Sequence, residues 1–355
     1  MRRKKIIGVE LFSGAGGMSL GAEWAGIDVA LAIEKDIHAA TTYKLNHKET
    51  HMIIDDIKNI TSIQVPSNAS VETVLFGGAP CQGFSTSNQR TRNTHNQGNW
   101  LFQEFVRLAS LWYPDWIVFE NVSGFIGTAK GMFFDELNSS LTERGYECSW
   151  FLANAKDYGV PQHRSRFFLI ASKHGYKFSK PPSIANNVTV RQALSGLPIL
   201  ENGASVDYLE YPDTLPNIYE LSLRKNLIGC TGHLVTKNAD YIIERYKHIL
   251  QGGNWQDIPE SLMTNYANRT RCHTGIYRRL DNDKPSVTIG NYRKNMLIHP
   301  TEHRGLSVRE AARLQSFPDD YVFFGSLGFQ QQQVGNAVPP LLAKAIFDII
   351  VQKET

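Results

Sequence analysis

The sequence predicts an α/β protein: a mostly parallel, Rossmann-like sheet covered by helices, with a second, smaller domain set into it. Three observations carry the prediction. Strand and helix signals alternate from the start of the chain to Ser172. A glycine cluster, Gly14-Ala15-Gly16-Gly17, separates the first strand from the first helix. The alternation stops at Lys180-Pro181-Pro182 and regular patterning resumes only near Ser307. A chain of 355 residues is also long for a single core.

Taken in order, KIIGVELF is a short apolar run ending at the glycines and reads as a buried strand. Met18, Leu20, Ala22, Trp24 and Ala25 follow in a helical pattern closed by Gly26. DVALAIE is the second strand, and DIHAATTYKLNH a helix capped by Asp36. A further short apolar run leads into IIDDI, and ETVLFGG is another buried strand. NWLFQEFVRLASLWYP carries apolar residues at helical spacing and stops at Pro114. DWIVFEN, GMFFDELNSSLTERGY and RSRFFLIAS continue as strand, helix and strand. Residues from about 183 to 300 are rich in Asn, Tyr and Gly and give short irregular runs. SVREAARLQSF is then amphipathic, with Val308, Ala311, Ala312 and Leu314 on one side and a Ser307–Glu310 capping box. GNAVPPLLAKAIFDIIV reads as a glycine–asparagine turn and a closing apolar helix with prolines at its start.

Hydrophobic residues make up 42% of the chain and charged residues 20%, as in a soluble globular protein. No run approaches the ~18 consecutive apolar residues of a membrane span. MRRKKIIGVELF lacks the long apolar stretch and cleavage site of a signal peptide, so Arg2 to Lys5 read as a solvated flank. The cysteines Cys81, Cys148, Cys230 and Cys272 form no C-x-x-C pair, which suits a reducing cytoplasm. Cys230 and His233 with Cys272 and His273 imitate a zinc set, but adjacent Cys272-His273 is poor ligand spacing and no metal is expected. The net charge of +3 is modest but uneven. Acids outnumber bases from Glu201 to Glu260; from Ser261 to Pro300 the bases Arg269, Arg271, Arg278, Arg279, Lys284, Arg293 and Lys294 dominate. A basic, loop-rich stretch with Tyr and Asn interleaved suits phosphate and base contacts, and suits an ordinary solvated surface as well.

In VELFSGAGGMSLG the glycines let the backbone approach a ligand at the helix start. The dinucleotide pattern G-x-G-x-x-G fails, because the sixth position from Gly14 is Ser19. Glu34 ends the second strand, where a carboxylate can accept from both hydroxyls of a ribose. The acid of IIDDI can accept from an adenine amino group. One nucleoside without a phosphate fingerprint points to S-adenosylmethionine rather than NAD; a tight turn and surface acids are the plainer reading of the same residues. Cys81 lies just past the end of ETVLF, and Glu120 at the end of WIVF. In an open parallel sheet such ends line one crevice. A thiol, a carboxyl and the glycine loop therefore converge, and core packing becomes the weaker explanation of Cys81.

Six blocks, in order, resemble the cytosine-C5 DNA methyltransferases of bacterial restriction–modification type: ELFSGAGGMSLGAEWAG, PCQGFS, FENV, PQHRSR, GLSVREAARLQSFPD and QQVGNAVPP. The resemblance does not cover residues from about 183 to 270. It implies an S-adenosylmethionine-dependent methyltransferase sheet over 1–182, completed by 330–355, and a target-recognition domain over 183–329. It further implies methylation of cytosine C5 in double-stranded DNA, with S-adenosylhomocysteine as product. The expected setting is cytoplasmic and nucleoid-associated, as a monomer with no membrane attachment and a cognate restriction endonuclease as functional partner only. On this resemblance Cys81 is the nucleophile, and Glu120, Arg164 and Arg166 complete the catalytic set. Phe12 stacks near the adenine, beside the loop of Ser13, Gly14, Gly16 and Gly17. Glu34 binds the ribose, Asp56 meets the adenine amino group, and Pro80 shapes the loop that Asn121 and Val122 anchor. Asn336 and Val338 close the cofactor pocket. Phe12 and Val338 suit core positions equally well. Ser85, Ser87, Arg90, Arg92 and His95, with Arg269 and Arg271, are expected against DNA.

The chemistry explains these residue types. Cytosine C5 is too weak a nucleophile to take a methyl group unaided, and a thiolate adding to C6 makes it enamine-like. A free cysteine titrates near ~8.5, so the cations of Arg164 and Arg166 would favour the thiolate. Glu120 hydrogen-bonding N3 and N4, and Arg166 holding O2, relieve the charge that builds on the ring. The base must leave the stack, at a cost on the order of a few kcal/mol. FSTSNQRTRNTHNQGN is polar and basic and is expected to close on DNA as a mobile loop. Two other readings stand beside this one: an RNA methyltransferase on the same fold, and a DNA-binding module without activity. The long variable region between RSRFFL and GLSVRE argues against the first, and intact Pro80, Cys81, Glu120, Arg164 and Arg166 against the second. An amino-group methyltransferase would carry D/N-P-P-Y/F, whereas Pro339-Pro340 is followed by leucines.

Overall fold

The computed structural model describes residues 4–65, 70–80, 100–185, 187–266, 275–294 and 296–353. The expected alternation forms one seven-stranded sheet. β1 (Lys5–Leu11) leads through the glycine turn into α1 (Gly17–Trp24), β2 (Asp28–Glu34), α2 (Ile37–Asn46) and β3 (His51–Ile54). β4 (Val71–Gly78), α3 (Leu101–Trp112), β5 (Trp116–Val122), α4 (Met132–Thr142), β6 (Glu147–Asn154) and β7 (Ser165–Ser172) follow. The strand order is β3-β2-β1-β4-β5-β7-β6. β1 to β5 are parallel, and β7 runs antiparallel to both β5 and β6. β6, over ECSWFLAN, was not expected from the sequence. It is an edge strand with Trp150 and Leu152 exposed, so no continuous apolar run marks it.

Alternate residues of the strands feed two packed layers. Val9, Leu11, Leu31, Ile33, Leu75, Ile117 and Phe119 share one core with Phe102, Phe105 and Leu108 of α3 and Phe133 and Leu137 of α4. Each phenylalanine fully buried there contributes about 1.5–3 kcal/mol. The opposite face of β1 presents Gly8 and Glu10. A C-terminal helix, Pro340–Val351, packs on α1, where a Cβ at Gly21 would lie 2.6 Å from the Pro340 carbonyl oxygen. Phe347 of that helix meets Phe76 of β4 edge-on at 4.9 Å. Asp36 caps α2 as expected, accepting from the Ala39 amide at 2.9 Å.

The chain divides into two compact units. The first comprises Met1–Tyr158, Ser165–Ser183 and Pro340–Thr355, and holds the sheet; the second comprises Gly159–Arg164 and Ile184–Pro339. Residues 159–164 and 330–339, expected with the sheet, thus group with the second unit.

Within the second unit the helices are short: α5 (Val190–Leu194), α6 (Ile218–Arg224), α7 (Asp240–Lys247), α8 (Val308–Leu314) and α9 (Leu327–Asn336). β8 (Leu209–Glu210) and β9 (Gly229–Cys230) form a small antiparallel ladder. α5, α6 and α8 all open with capping boxes, at Thr189–Gln192, Asn217–Glu220 and the expected Ser307–Glu310. α8 departs from the amphipathic expectation, because all seven of its residues are buried. Its two arginines are accommodated by full pairing. Arg313 grips Asp319 with Nε–Oδ1 at 3.0 Å and Nη2–Oδ2 at 2.6 Å, and Arg309 donates to the carbonyls of Thr231, Pro318 and Tyr321. α9 was likewise unexpected; Gly335-Asn336 ends that helix rather than forming a free turn. Leu327–Val351 is long and apolar enough to cross a bilayer, but it is two helices parted at Ala337–Pro339 and most of it is buried. Of the basic run before Pro300, Arg279 serves the fold. It is buried and donates to the carbonyls of Tyr246, Ile249, His299 and Glu302.

Candidate active site

The parallel strands end along one edge of the sheet. There Leu11 pairs in register with Ile33 and Gly77, Glu34 with Ile54, and Gly78 with Glu120. The reversed strand adds a group to the same edge: β7 begins where β5 ends, and Arg166 pairs with Val122.

The glycine loop is built tightly at the end of β1. Phe12 takes a left-handed φ of 55°, as do Gly14 at 54° and Gly16 at 88°. A non-glycine residue in that region carries strain on the order of 1–3 kcal/mol and persists where the surroundings fix it. They do here: Ser13 N donates to the Ile33 carbonyl at 3.1 Å, and Gly16 N to the Ser13 carbonyl at 3.0 Å. Glu34 braces the loop from β2. Its Oε2 accepts from Gly14 N at 2.9 Å, and Oε1 from Lys35 N at 2.9 Å and Asp36 N at 2.8 Å. Gly16 is the N-cap of α1 and lends it no side-chain hydrogen bond, so the positive end of the helix faces the loop. Asp56 is half-buried and caps the 3-10 turn Ile57–Asn59 through Lys58 N at 3.1 Å.

This donor set fits S-adenosylmethionine. Among the described residues the buried Ser13 Oγ has no hydrogen-bond partner, so it is a group that a ligand can satisfy. Glu34, Asp55 and Asp56 make the edge acidic, which suits a cationic nucleoside with ribose hydroxyls and an exocyclic amine.

Two strands along, Glu120 is 8% exposed, and its Oε1 lies 3.0 Å from Arg166 Nε. Gly78 makes room for it: a Cβ there would collide with Glu120 Oε2. Asn121 is buried, donates from Nδ2 to the Ala79 carbonyl at 3.2 Å, and accepts the Val122 amide at 2.9 Å. It thereby ties the end of β5 to the backbone just before half-buried Pro80. Gly78 carried no sequence signal beyond its place in a glycine pair.

Arg164 has a different environment. It is 2% exposed in the second unit, where it donates to the carbonyls of Ile289 at 2.8 Å, Gly335 at 3.0 Å and Asn336 at 3.4 Å. Gln162 works beside it, donating to the Leu314 carbonyl at 3.1 Å and to Gln315 Oε1 at 2.8 Å, and accepting from Ile289 N at 2.9 Å. Gln315 passes on to the Val334 carbonyl at 2.7 Å. Three of the sequence blocks thus meet in one buried clasp that fixes the turn leading to exposed Asn336 and buried Val338. Gln162 and Gln315 lay inside the motifs but were not singled out.

Cys81, Ser85, Ser87, Arg90, Arg92 and His95, and with them the expected closing loop, lie outside the described residues. So do Arg269, Arg271, Cys272 and His273. Cys230 Sγ sits 3.4 Å from His233 Nε2 in the second unit.

A family model described as C-5 cytosine-specific DNA methylase matches residues 6–352. The chain is 36% identical over 352 residues to the type II methyltransferase M1.HphI of Haemophilus parahaemolyticus, an alignment that spans 98% of this chain and 87% of that protein. It is 32% identical over 365 residues to the type II methyltransferase M.DdeI of Desulfomicrobium norvegicum, spanning 96% and 88%. Among solved structures, one described as a DNA modification methyltransferase encoded within an E. coli prophage matches with a TM-score of 0.78 at 25% identity, over 98% of this chain and 99% of that one.

Proposed function

The chain belongs to the C-5 cytosine-specific DNA methylases, and from that premise we propose that it methylates its target through a covalent bond between Cys81 and cytosine C6. It is a DNA (cytosine-5-)-methyltransferase of the restriction–modification type. The observation that carries the proposed mechanism is the Glu120–Arg166 pair at 3.0 Å, next to Asn121, whose amide holds the backbone two residues before Cys81. An acid and a fixed cation at the mouth of this strand pair suit a pyrimidine ring that gains negative charge under attack.

In this reading the target cytosine is swung out of the duplex. The Cys81 thiolate adds to C6, Glu120 hydrogen-bonds N3 and N4 and shares a proton with N3, and Arg166 holds O2. Bound S-adenosylmethionine supplies an electrophilic methyl group. Phe12, Ser13, Gly14, Gly16, Gly17, Glu34 and Asp56 would hold that cofactor, and Pro80, Asn336 and Val338 are assigned to cofactor binding as well. Once C5 is methylated, its proton passes to a water-mediated base, and the electron pair of the broken C–H bond re-forms the ring double bond as the sulfur leaves. Arg164 is assigned to positioning the Gly335-Asn336 turn. The second unit, together with Arg269 and Arg271, is assigned to reading the DNA, and the segment with Ser85, Ser87, Arg90 and Arg92 to the strand around the target. The enzyme acts as a monomer and protects host DNA from a cognate endonuclease.

Bisulfite sequencing of DNA from a host expressing the chain identifies the modified site. A duplex carrying 5-fluorocytosine at that site, incubated with enzyme and S-adenosylmethionine, should yield a protein–DNA band that survives denaturation. Cys81→Ser should lose both the band and methyl transfer while still binding S-adenosylhomocysteine. Normal turnover by Cys81→Ser would sink the covalent mechanism.

A further inference from the structure

Beneath the glycine loop lies a buried polar cluster that the proposed chemistry does not use. Glu10, next to last in β1, is 2% exposed and points to the face bearing α1 and α2. Ser19, in the first turn of α1, donates from Oγ to Glu10 Oε2 and shares a 2.7 Å hydrogen bond with the Tyr43 hydroxyl of α2. Ser19 and Tyr43 are both fully buried. The Tyr43 ring lies 4.3 Å from that of His47, whose Nδ1 is 2.7 Å from Glu23 Oε1.

The titratable groups facing Glu10 are Glu23 of α1, Tyr43 of α2 and Glu34 at the end of β2. Of these, Glu23 has His47 Nδ1 beside it at 2.7 Å. Burial pushes the Glu10 carboxyl well above the usual range; the Ser19 hydrogen bond opposes this, and the charges of Glu23 and Glu34 add to it.

The Glu10–Ser19 hydrogen bond closes the base of the segment Leu11–Met18, which contains the whole glycine loop. We propose that Glu10 is a positioning residue, which clasps Ser19 and so fixes the glycine loop and the start of α1 in the shape that binds the cofactor. The inference rests on reading that loop as the cofactor site. Glu10 touches no reacting atom and acts through Ser19.

The test is calorimetric titration of S-adenosylhomocysteine into wild type, Glu10→Gln, Glu10→Ala and Ser19→Ala, with DNA affinity measured in parallel. The glutamine amide oxygen can still accept from Ser19, so Glu10→Gln should bind within about threefold of wild type. Glu10→Ala and Ser19→Ala should bind cofactor product at least about tenfold more weakly, with DNA affinity unchanged. Ser19→Ala breaks the clasp without a large cavity, and decides the matter if Glu10→Ala does not fold. Wild-type affinity in Ser19→Ala, or in a folded Glu10→Ala, overturns the proposal; so does a Glu10→Gln variant as weak as Glu10→Ala. A wild-type protein that binds no S-adenosylhomocysteine would instead overturn the cofactor reading itself, and is told apart because every variant would then be equally silent.

Discussion

Gly78 carries no side chain because the Glu120 carboxylate occupies the space that one would need. Its backbone is not in the left-handed region, so Gly78→Ala tests the collision and nothing else. The added methyl group should push Glu120 out of register with Arg166 and slow single-turnover methyl transfer by about tenfold or more, with cofactor affinity intact and a stability loss of about 1–3 kcal/mol. An unaltered rate would mean that the carboxylate position is not critical. Glu120 was legible in the sequence, since it ends a strand that the α/β rhythm directs to the ligand edge; Arg166 was legible only through the family resemblance, because it reaches that edge at the start of a reversed strand. Arg164 was not. In the string R-S-R the two arginines look equivalent, yet one pairs with an acid at the sheet edge and the other holds backbone carbonyls in a separate unit. Partner choice of that kind depends on which distant segments arrive nearby, and Ile289 and Gly335 lie far along the chain.

At the scale of elements, α8 shows how a helix can be misread from its pattern. Its apolar residues do share a side, but the charged ones are as deeply buried. A buried guanidinium is tolerated because its donors are met by fixed carbonyls and a carboxylate. Arg313→Met should take from buried Asp319 its bidentate partner, leaving the Tyr211 hydroxyl and Arg309 at 3.9 Å, and strip donors from the carbonyls of Ala193 and Ser195. The expected loss is about 3–5 kcal/mol from the second unit, read as a shift of its denaturant midpoint. A shift below about 1 kcal/mol would refute that account. The same limits explain the other departures. Periodicity finds strands buried on both faces, such as β4 and β5, and misses β6, whose edge position leaves only Phe151 and Ala153 buried. α9 was hidden because a run of four glutamines carries little hydrophobic pattern, although several of them are buried and bonded to backbone.

For the whole molecule, the two units respond to pH with opposite signs. In the second, burial would raise Glu310, but the Arg304 guanidinium at 2.6 Å prevails and holds it down at about 2. Asp319 is lowered likewise, by Arg313 against the effect of burial. His233 is held down to about 4, by burial first and then by Arg309. For each of these groups the native state binds fewer protons than the unfolded chain, so stability is full above the ordinary pKa and is lost as pH falls toward the lowered one. Glu10 in the first unit is raised, so its native state binds more protons, and it subtracts stability as pH climbs above the ordinary carboxylate range. Hydrogen exchange near about pH 4 should therefore open peptides of Ile184–Pro339 before those of β1, β4 and β5. Simultaneous opening, or the reverse order, would contradict it.

The partner of α1 is the helix Pro340–Val351, and the two touch so closely that Gly21 admits no side chain. α1 is made long before this helix, which follows it by most of the length of the chain. At ~5–20 residues per second the interval is on the order of tens of seconds, during which the nascent sheet keeps an apolar flank open to whatever it meets. The α1 flank is therefore expected to be the part of the nascent sheet most exposed to misassociation until the helix Pro340–Val351 arrives.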